Sequence, residues 1–148
     1  MVKINPYLNF KGKCEEAFVF YKSVFGGEFN FIQRFKDTPP EYQSGPEDAE
    51  KIMHVALVLE DGSMIMGSDV PSSMENDLPE VSNITLSYSA KSEEEATKVF
   101  NMISSNGKVN MPLQKTFWGS LFGMATDKYG INWMVDCPLN EGGNQKQA

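Results

Sequence analysis

The chain has 148 residues, a 41% hydrophobic share and a formal net charge of −7. That length suits one ordinary domain with a real core, and an acidic chain without a Lys/Arg cluster is a poor partner for nucleic acid. No apolar run is long enough to span a bilayer, and MVKINPYLNF lacks the charged and apolar regions of a secretory signal. The two cysteines, Cys14 and Cys137, lie far apart and make no CxxC motif or disulfide framework. These features imply a cytoplasmic protein that uses neither nucleic acid nor membrane as partner.

KINPYLNF reads as a first strand. Residues 13–25 read as a helix, because Cys14, Ala17, Phe18, Tyr21, Val24 and Phe25 follow the spacing of one helical face. Gly26-Gly27 ends it. Residues 28–36 alternate Phe29, Phe31 and Phe35 with other residues, as a half-buried strand does. DTPPEYQSGPEDAE, residues 37–50, is loop by its proline, glycine and acidic content. Residues 52–60 form an apolar strand, Asp61-Gly62 is a hairpin signal, and residues 63–69 return as a strand. VPSSMENDLPE, residues 70–80, is a linker.

The same order then begins again. Residues 81–89 alternate Ile84, Leu86 and Tyr88 with polar residues. Ser92 and Glu95 form a capping-box signature, and Ala96, Val99, Phe100 and Ile103 make an apolar helical face. Gly107 is expected to end that helix. Residues 108–113, 119–126 and 131–137 read as three more strands.

The halves match in detail. Glu15-Glu16-Ala17 repeats as Glu94-Glu95-Ala96, and Met66 and Met134 each lie four residues after a turn glycine, Gly62 and Gly130. The expected fold is therefore α+β: two βαβββ modules with cupped mixed sheets. Module one covers residues 3–69 and module two 81–137, within a single domain of residues 1–137 followed by a polar tail, 138–148. Neither module buries both its helix and its sheet alone, so the two are expected to pair.

A paired βαβββ repeat resembles the vicinal oxygen chelate superfamily, with glyoxalase I, bleomycin-resistance proteins and extradiol dioxygenases among its members. PYLNFKGKCEEAFVFYKSVFGGE, MHVALVLEDGSMIMGSD and QKTFWGSLFGMATDKYGINWMV look like its PhnB-like branch, and the resemblance runs from about Asn5 to Val135. Some PhnB-like proteins carry a ubiquinone-methyltransferase label. The glycine-rich turn and following acidic residue of a Rossmann cofactor site do not occur here.

The resemblance implies four positions for a divalent metal, usually filled by His or Glu. They fall on Met66, Met134, Asn83, and Asn5 or Pro6. Thioethers suit soft metals, while Mg²⁺, Mn²⁺, Ni²⁺ and Fe²⁺ favour carboxylate and imidazole. The usual metal centre is expected to be absent, and no cofactor is expected. The resemblance also implies a homodimer.

His54 is the single histidine. It stands on a strand apolar on both faces, and reads either as a hydrogen-bonded core residue or as a general acid/base or ligand contact. Asp69 reads as a capping residue at the start of a loop or as a polar anchor at a cavity mouth. Arg34 belongs to a solvated face or binds an anion. Cys14 is a small core residue, or a thiol of lowered pKa near a helix start. Tyr42 lies in a long acidic loop that closes over a ligand or stays on the surface. Trp133 is assigned to the core. Trp118 and Phe122 share a strand face with Ser120, Met124 and Thr126, and line either the core or a ligand cavity. Gly119 and Gly123 on the opposite face allow close packing behind that strand.

The leading expectation is a protein that binds a small apolar or aromatic molecule in a sheet-lined cavity, with His54 as its main polar group. The ligand set is Trp118, Phe122, Asp69, Met66, Met134 and Arg34. The alternatives are a metal-dependent glyoxalase-type lyase, isomerase or dioxygenase, using His54 with Asp69 or Glu60, and a ligand-sequestering resistance protein.

Overall fold

The computed structural model describes residues 3–43, 45–79 and 82–139. The chain divides between residues 80 and 81 into two compact units. Each holds one helix and one four-stranded sheet.

In unit one, β1 (Tyr7–Phe10) leads to α1 (Cys14–Phe25), followed by β2 (Glu28–Arg34), β3 (Ile52–Val58) and β4 (Met64–Asp69). The sheet order is β1-β4-β3-β2, with β1 parallel to β4 and the other pairs antiparallel. The apolar stripe of α1 buries Cys14, Ala17, Phe18 and Tyr21. Beneath it the sheet presents Leu8, Phe10, Val55, Leu57 and Ile65, all buried. Phe18 meets the rings of Phe10 and Tyr21 edge to face, at 6.2 and 5.6 Å between centroids. Gly67 makes room for it, since a Cβ there would stand 2.7 Å from Phe18 Cε1.

Unit two repeats the connectivity. Its elements are β5 (Leu86–Ser89), α2 (Glu93–Ser104), β6 (Lys108–Lys115), β7 (Ser120–Thr126) and β8 (Asn132–Pro138). The order is β5-β8-β7-β6, with β5 parallel to β8. Ala96, Val99, Phe100 and Ile103 of α2 are buried, against Ala125, Trp133, Val135 and Cys137. A Cβ on Gly123 would stand 2.8 Å from Phe100 Cε1.

Three hairpin turns share one geometry. Gly62, Gly119 and Gly130 have φ near +89°, +87° and +89°, and each donates its N–H to the carbonyl three residues back. Only glycine adopts that backbone without strain. The β2–β3 connection is different. Residues 35–51 form a long loop with three short 3₁₀ turns. The loop is tied to the linker by buried Asp48, which accepts from Ser72 N and Oγ and pairs with Lys51 at 2.8 Å.

Several boundaries differ from the sequence reading. The strand expected at 81–89 is hydrogen-bonded only over Leu86–Ser89; just before it, the Asn132 side chain reaches the carbonyls of Ser82 and Ile84. Gly107 does not supply the left-handed residue after α2. Asn106 does, at φ +59°. Gly107 is small for another reason: a Cβ there would collide with the Thr126 carbonyl.

Candidate ligand-binding faces

Strand pairing assigns each site residue on a strand to one side of its sheet, because cross-strand partners share a face. In unit one, the face away from α1 carries Met66 with its partners Tyr7 on β1 and Ala56 on β3. Ala56 pairs in turn with Phe31, and His54 with Gln33. His54, half-buried, sits between two aromatic rings on this face. Tyr7 Oη lies 3.1 Å from His54 Nδ1. The Tyr7 and Phe31 ring centroids lie 5.6 and 5.4 Å from that of the imidazole. The strand is therefore not covered alike on both sides: Val55 and Leu57 are buried on the helix side, whereas Phe31 and Tyr7 beside His54 are exposed.

Asp69 points to the other side. Its register partner is the buried Phe10. Oδ1 accepts from Gly12 N at 2.8 Å and Cys14 N at 3.0 Å, and Oδ2 accepts from Ile52 N at 3.0 Å. One carboxylate thus holds the start of α1 and the start of β3. Asp69 and His54 lie on opposite faces of the sheet and cannot ligate one ion. Glu60 is six residues beyond His54, past the end of β3 in the hairpin turn.

Arg34 is also committed. Its Nη1 and Nη2 donate to Glu15 Oε1 and Oε2 at 3.0 and 2.8 Å, and Nη1 reaches the Glu50 carbonyl at 2.7 Å. The hydrogen bond from Arg34 holds the Glu15 carboxyl below its usual range. Cys14 is fully buried, and burial first, then Asp69 and Glu15, raises its thiol pKa strongly. A reactive thiolate at this helix start is ruled out: its backbone N–H is taken by Asp69, and its sulfur faces the core. The Tyr42 side chain lies outside the described residues.

In unit two, the face away from α2 is built in rows. Met111 pairs with Met124, and Met124 with Met134, so three thioether side chains cross three adjacent strands. Ser87 follows on β5. The next row is Gln114, Phe122 and Asp136. On the other side of the methionines runs a polar row, in which Asn110 Nδ2 donates to Thr126 Oγ1 at 3.0 Å and that hydroxyl donates to Asn132 Oδ1 at 2.8 Å.

Trp118 is not a strand residue. It belongs to the Thr116–Ser120 turn, closed by Thr116 N–H to the Ser120 carbonyl. Gly119 is likewise a turn residue. Trp118 still leans on Phe122, edge to face at 5.8 Å, and Phe117 also meets Trp118 edge to face, at 5.1 Å. Trp118 is 55% exposed and Trp133 only 4%. Trp133 is a core residue, with Nε1 donating to buried Asp127 at 2.9 Å.

Sequence reasoning placed Met124 on the Phe122 face but missed Tyr7, Phe31 and Met111 as companions of the chosen residues. The signal was available for Tyr7, which alternates with buried Leu8 and Phe10. Asn110 hid Met111, because a bulge between Val109 and Met111 breaks the alternation of β6.

The family's divalent metal does not fit these residues. Beside Met66 and Met134 the register sets Tyr7 and Ser87, not Asn5, Pro6 or Asn83. Two thioethers, a phenol and a hydroxyl are poor donors for a hard ion. Among the described residues no three His, Cys, Asp or Glu side chains form a metal-holding group. An open depression at the start of α2, lined by Glu93, Glu94, Thr97 and Lys98, lies on a charged helical turn outside both faces.

Residues 2–136 match the family model described as 3-demethylubiquinone-9 3-methyltransferase. The chain belongs to this PhnB-like family. It is 31% identical to protein YjdN of Escherichia coli K12 over 137 residues, covering 90% of this chain and 93% of that one. A crystal structure from Pseudomonas aeruginosa is 35% identical with a TM-score of 0.81, covering 94% and 99% of the two chains. The PhnB protein of Bacillus cereus, described as a candidate 3-demethylubiquinone-9 3-methyltransferase, is 30% identical with a TM-score of 0.75 over 92% and 99%. The fold is that of the glyoxalase and bleomycin-resistance proteins. Among the described residues no helix is long and apolar enough to cross a membrane.

Proposed function

We propose that this PhnB-like protein binds a small apolar or aromatic molecule in a sheet-lined cavity, without the superfamily's divalent metal or another cofactor. The observation that carries this reading is the composition of the helix-free faces. Methionine and aromatic side chains dominate both: Met66, Tyr7 and Phe31 in unit one, and Met111, Met124, Met134 and Phe122 in unit two. Thioethers adapt to irregular apolar shapes, and rings add flat contact area. Trp118 flanks Phe122, and His54 is the polar group. Asp69 and Arg34 leave the ligand set, since their charged groups serve the backbone and Glu15. The methyltransferase description of the family gains no support from these faces, because neither sheet carries a glycine-rich nucleotide-binding turn. A homodimer is part of the same proposal. Ile32 and Val109, exposed on the edge strands β2 and β6, are apolar surface of the kind an interface covers.

A thermal-shift screen of apolar and aromatic molecules tests the reading. A ligand at about 100 times its Kd adds roughly 2.7 kcal/mol of stability. A panel in which no such molecule raises the melting temperature removes the proposal.

A further inference from the structure

His54 is the chain's single histidine, and its ring is held from both edges of the sheet. Tyr7 approaches from β1 with its hydroxyl 3.1 Å from Nδ1, the two rings inclined by 31°. Phe31 approaches from β2, its ring inclined by 50° to the imidazole. Nε2 has no partner among the described residues.

A neutral imidazole has one N–H and one bare nitrogen, and the bond made at one nitrogen sets where the proton sits. The bare ring nitrogen is a better acceptor than a phenol oxygen, and the phenol O–H is a good donor. The stable arrangement therefore has Tyr7 O–H donating to Nδ1, which leaves the proton on Nε2. The ring is fixed as a donor whose N–H is not spent on the protein. Around it lie Phe31, Ala56 and Met66, which offer apolar contact, and its cross-strand partner Gln33, which is polar but uncharged.

We infer that Tyr7 is a positioning residue that locks His54 as an Nε2–H donor, and that the ligand of this face is an apolar or aromatic molecule bearing an acceptor oxygen, a carbonyl in the first place. The inference rests on the proposed ligand-binding reading and names its chemical class. A plain hydrocarbon leaves a desolvated N–H unpaired. A molecule with only donors meets another donor. Both are disfavoured against a ketone of equal size.

Histidine-¹⁵N labelling of the full chain tests the first half, since one histidine gives one pair of ring signals. At a pH where the ring is neutral, the expected spectrum shows the proton on Nε2 and a hydrogen-bonded Nδ1. In Tyr7→Phe, Nδ1 is expected to move toward the value of free neutral imidazole. An Nδ1–H ring, or a spectrum unchanged by Tyr7→Phe, overturns the inference.

Titration with acetophenone and with ethylbenzene, read by methionine-methyl NMR and by the histidine signals, tests the second half. Both are expected to move the Met66 methyl. Only acetophenone should move Nε2, binding about 2–10-fold tighter, the worth of one ordinary hydrogen bond. That preference should weaken by up to about 2-fold in Tyr7→Phe, whose freed ring shares its proton between the two nitrogens. Equal affinities with an unmoved Nε2 overturn this inference and leave the apolar reading standing. A Met66 methyl that responds to neither probe overturns this inference, and Met111, Met124 and Met134 methyls that stay equally still overturn the reading itself.

Discussion

The two units solve one packing problem with mirrored choices. Each helix drives a phenylalanine into its sheet, Phe18 in α1 and Phe100 in α2, and each sheet yields by placing a glycine beneath it. The glycine and its cross-strand neighbour are Val55 and Gly67 in unit one, but Gly123 and Val135 in unit two. The pair is the same and its strands are exchanged. The cause lies in the helices. Phe18 directly follows Ala17, whereas Phe100 comes four residues after the matching Ala96. The intruding ring has moved along the helix, and the hole in the sheet has moved with it. A repeat can thus keep its architecture while its contacts diverge, provided volume is conserved locally.

The helix starts differ in a second way. α2 is capped from within its own sequence: Ser92 Oγ accepts from Glu95 N at 3.1 Å, and the Glu95 carboxylate accepts from Lys91 N at 2.6 Å. No side chain caps α1 locally at Lys13. Asp69, distant in sequence, does that work and ties down β3 as well.

The largest expected effect breaks this contrast. Asp69→Ala strips three N–H groups of a charged acceptor and should cost about 3–5 kcal/mol by urea unfolding; a loss under about 1 kcal/mol would show that water replaces the clamp. Gly67→Val should cost about 1–3 kcal/mol through overpacking against Phe18. The double change Val55→Gly with Gly67→Val conserves volume yet should not restore stability, because Phe18 still stands over position 67. Full recovery would mean that volume alone governs the pair. Ser92→Ala should cost only about 1 kcal/mol, the usual worth of an N-cap, and thermal melts of both cap variants sharpen the comparison between local and distant caps.

Glu15→Gln is the smallest. Its pair with Arg34 is exposed, so the loss should stay under about 1 kcal/mol. The sign with pH is fixed. The folded carboxyl titrates below its unfolded value of 4.5. The pair's contribution is therefore present above pH 4.5 and fades as pH falls through the folded value. Wild type and Glu15→Gln should differ at neutral pH and converge in acid, as denaturant midpoints across that range would show.

Sequence alone carried the element order, both helix faces and the methionine repeat, because these rest on local periodicity and turn chemistry. The capping box at Ser92 was legible for the same reason. What stayed hidden was long-range. The sequence offered Asp69 as cap or ligand anchor, and only the fold supplies the three donors that occupy it. Arg34 was similarly open until Glu15, on another element, came within reach. Tyr7 and His54 stand 47 positions apart, so no local pattern joins them. Trp118 was given a strand face because alternation runs smoothly from β7 back into the turn, although β7 begins only at Ser120.

Methionine-methyl NMR of the full chain, titrated with acetophenone, tests the central claim most directly. The account predicts saturable shifts at methionines of the helix-free faces, Met66 or the row Met111, Met124 and Met134, while Met74 in the linker turn stays still. Shifts confined to Met74, or none at any methionine at saturating probe, would contradict it.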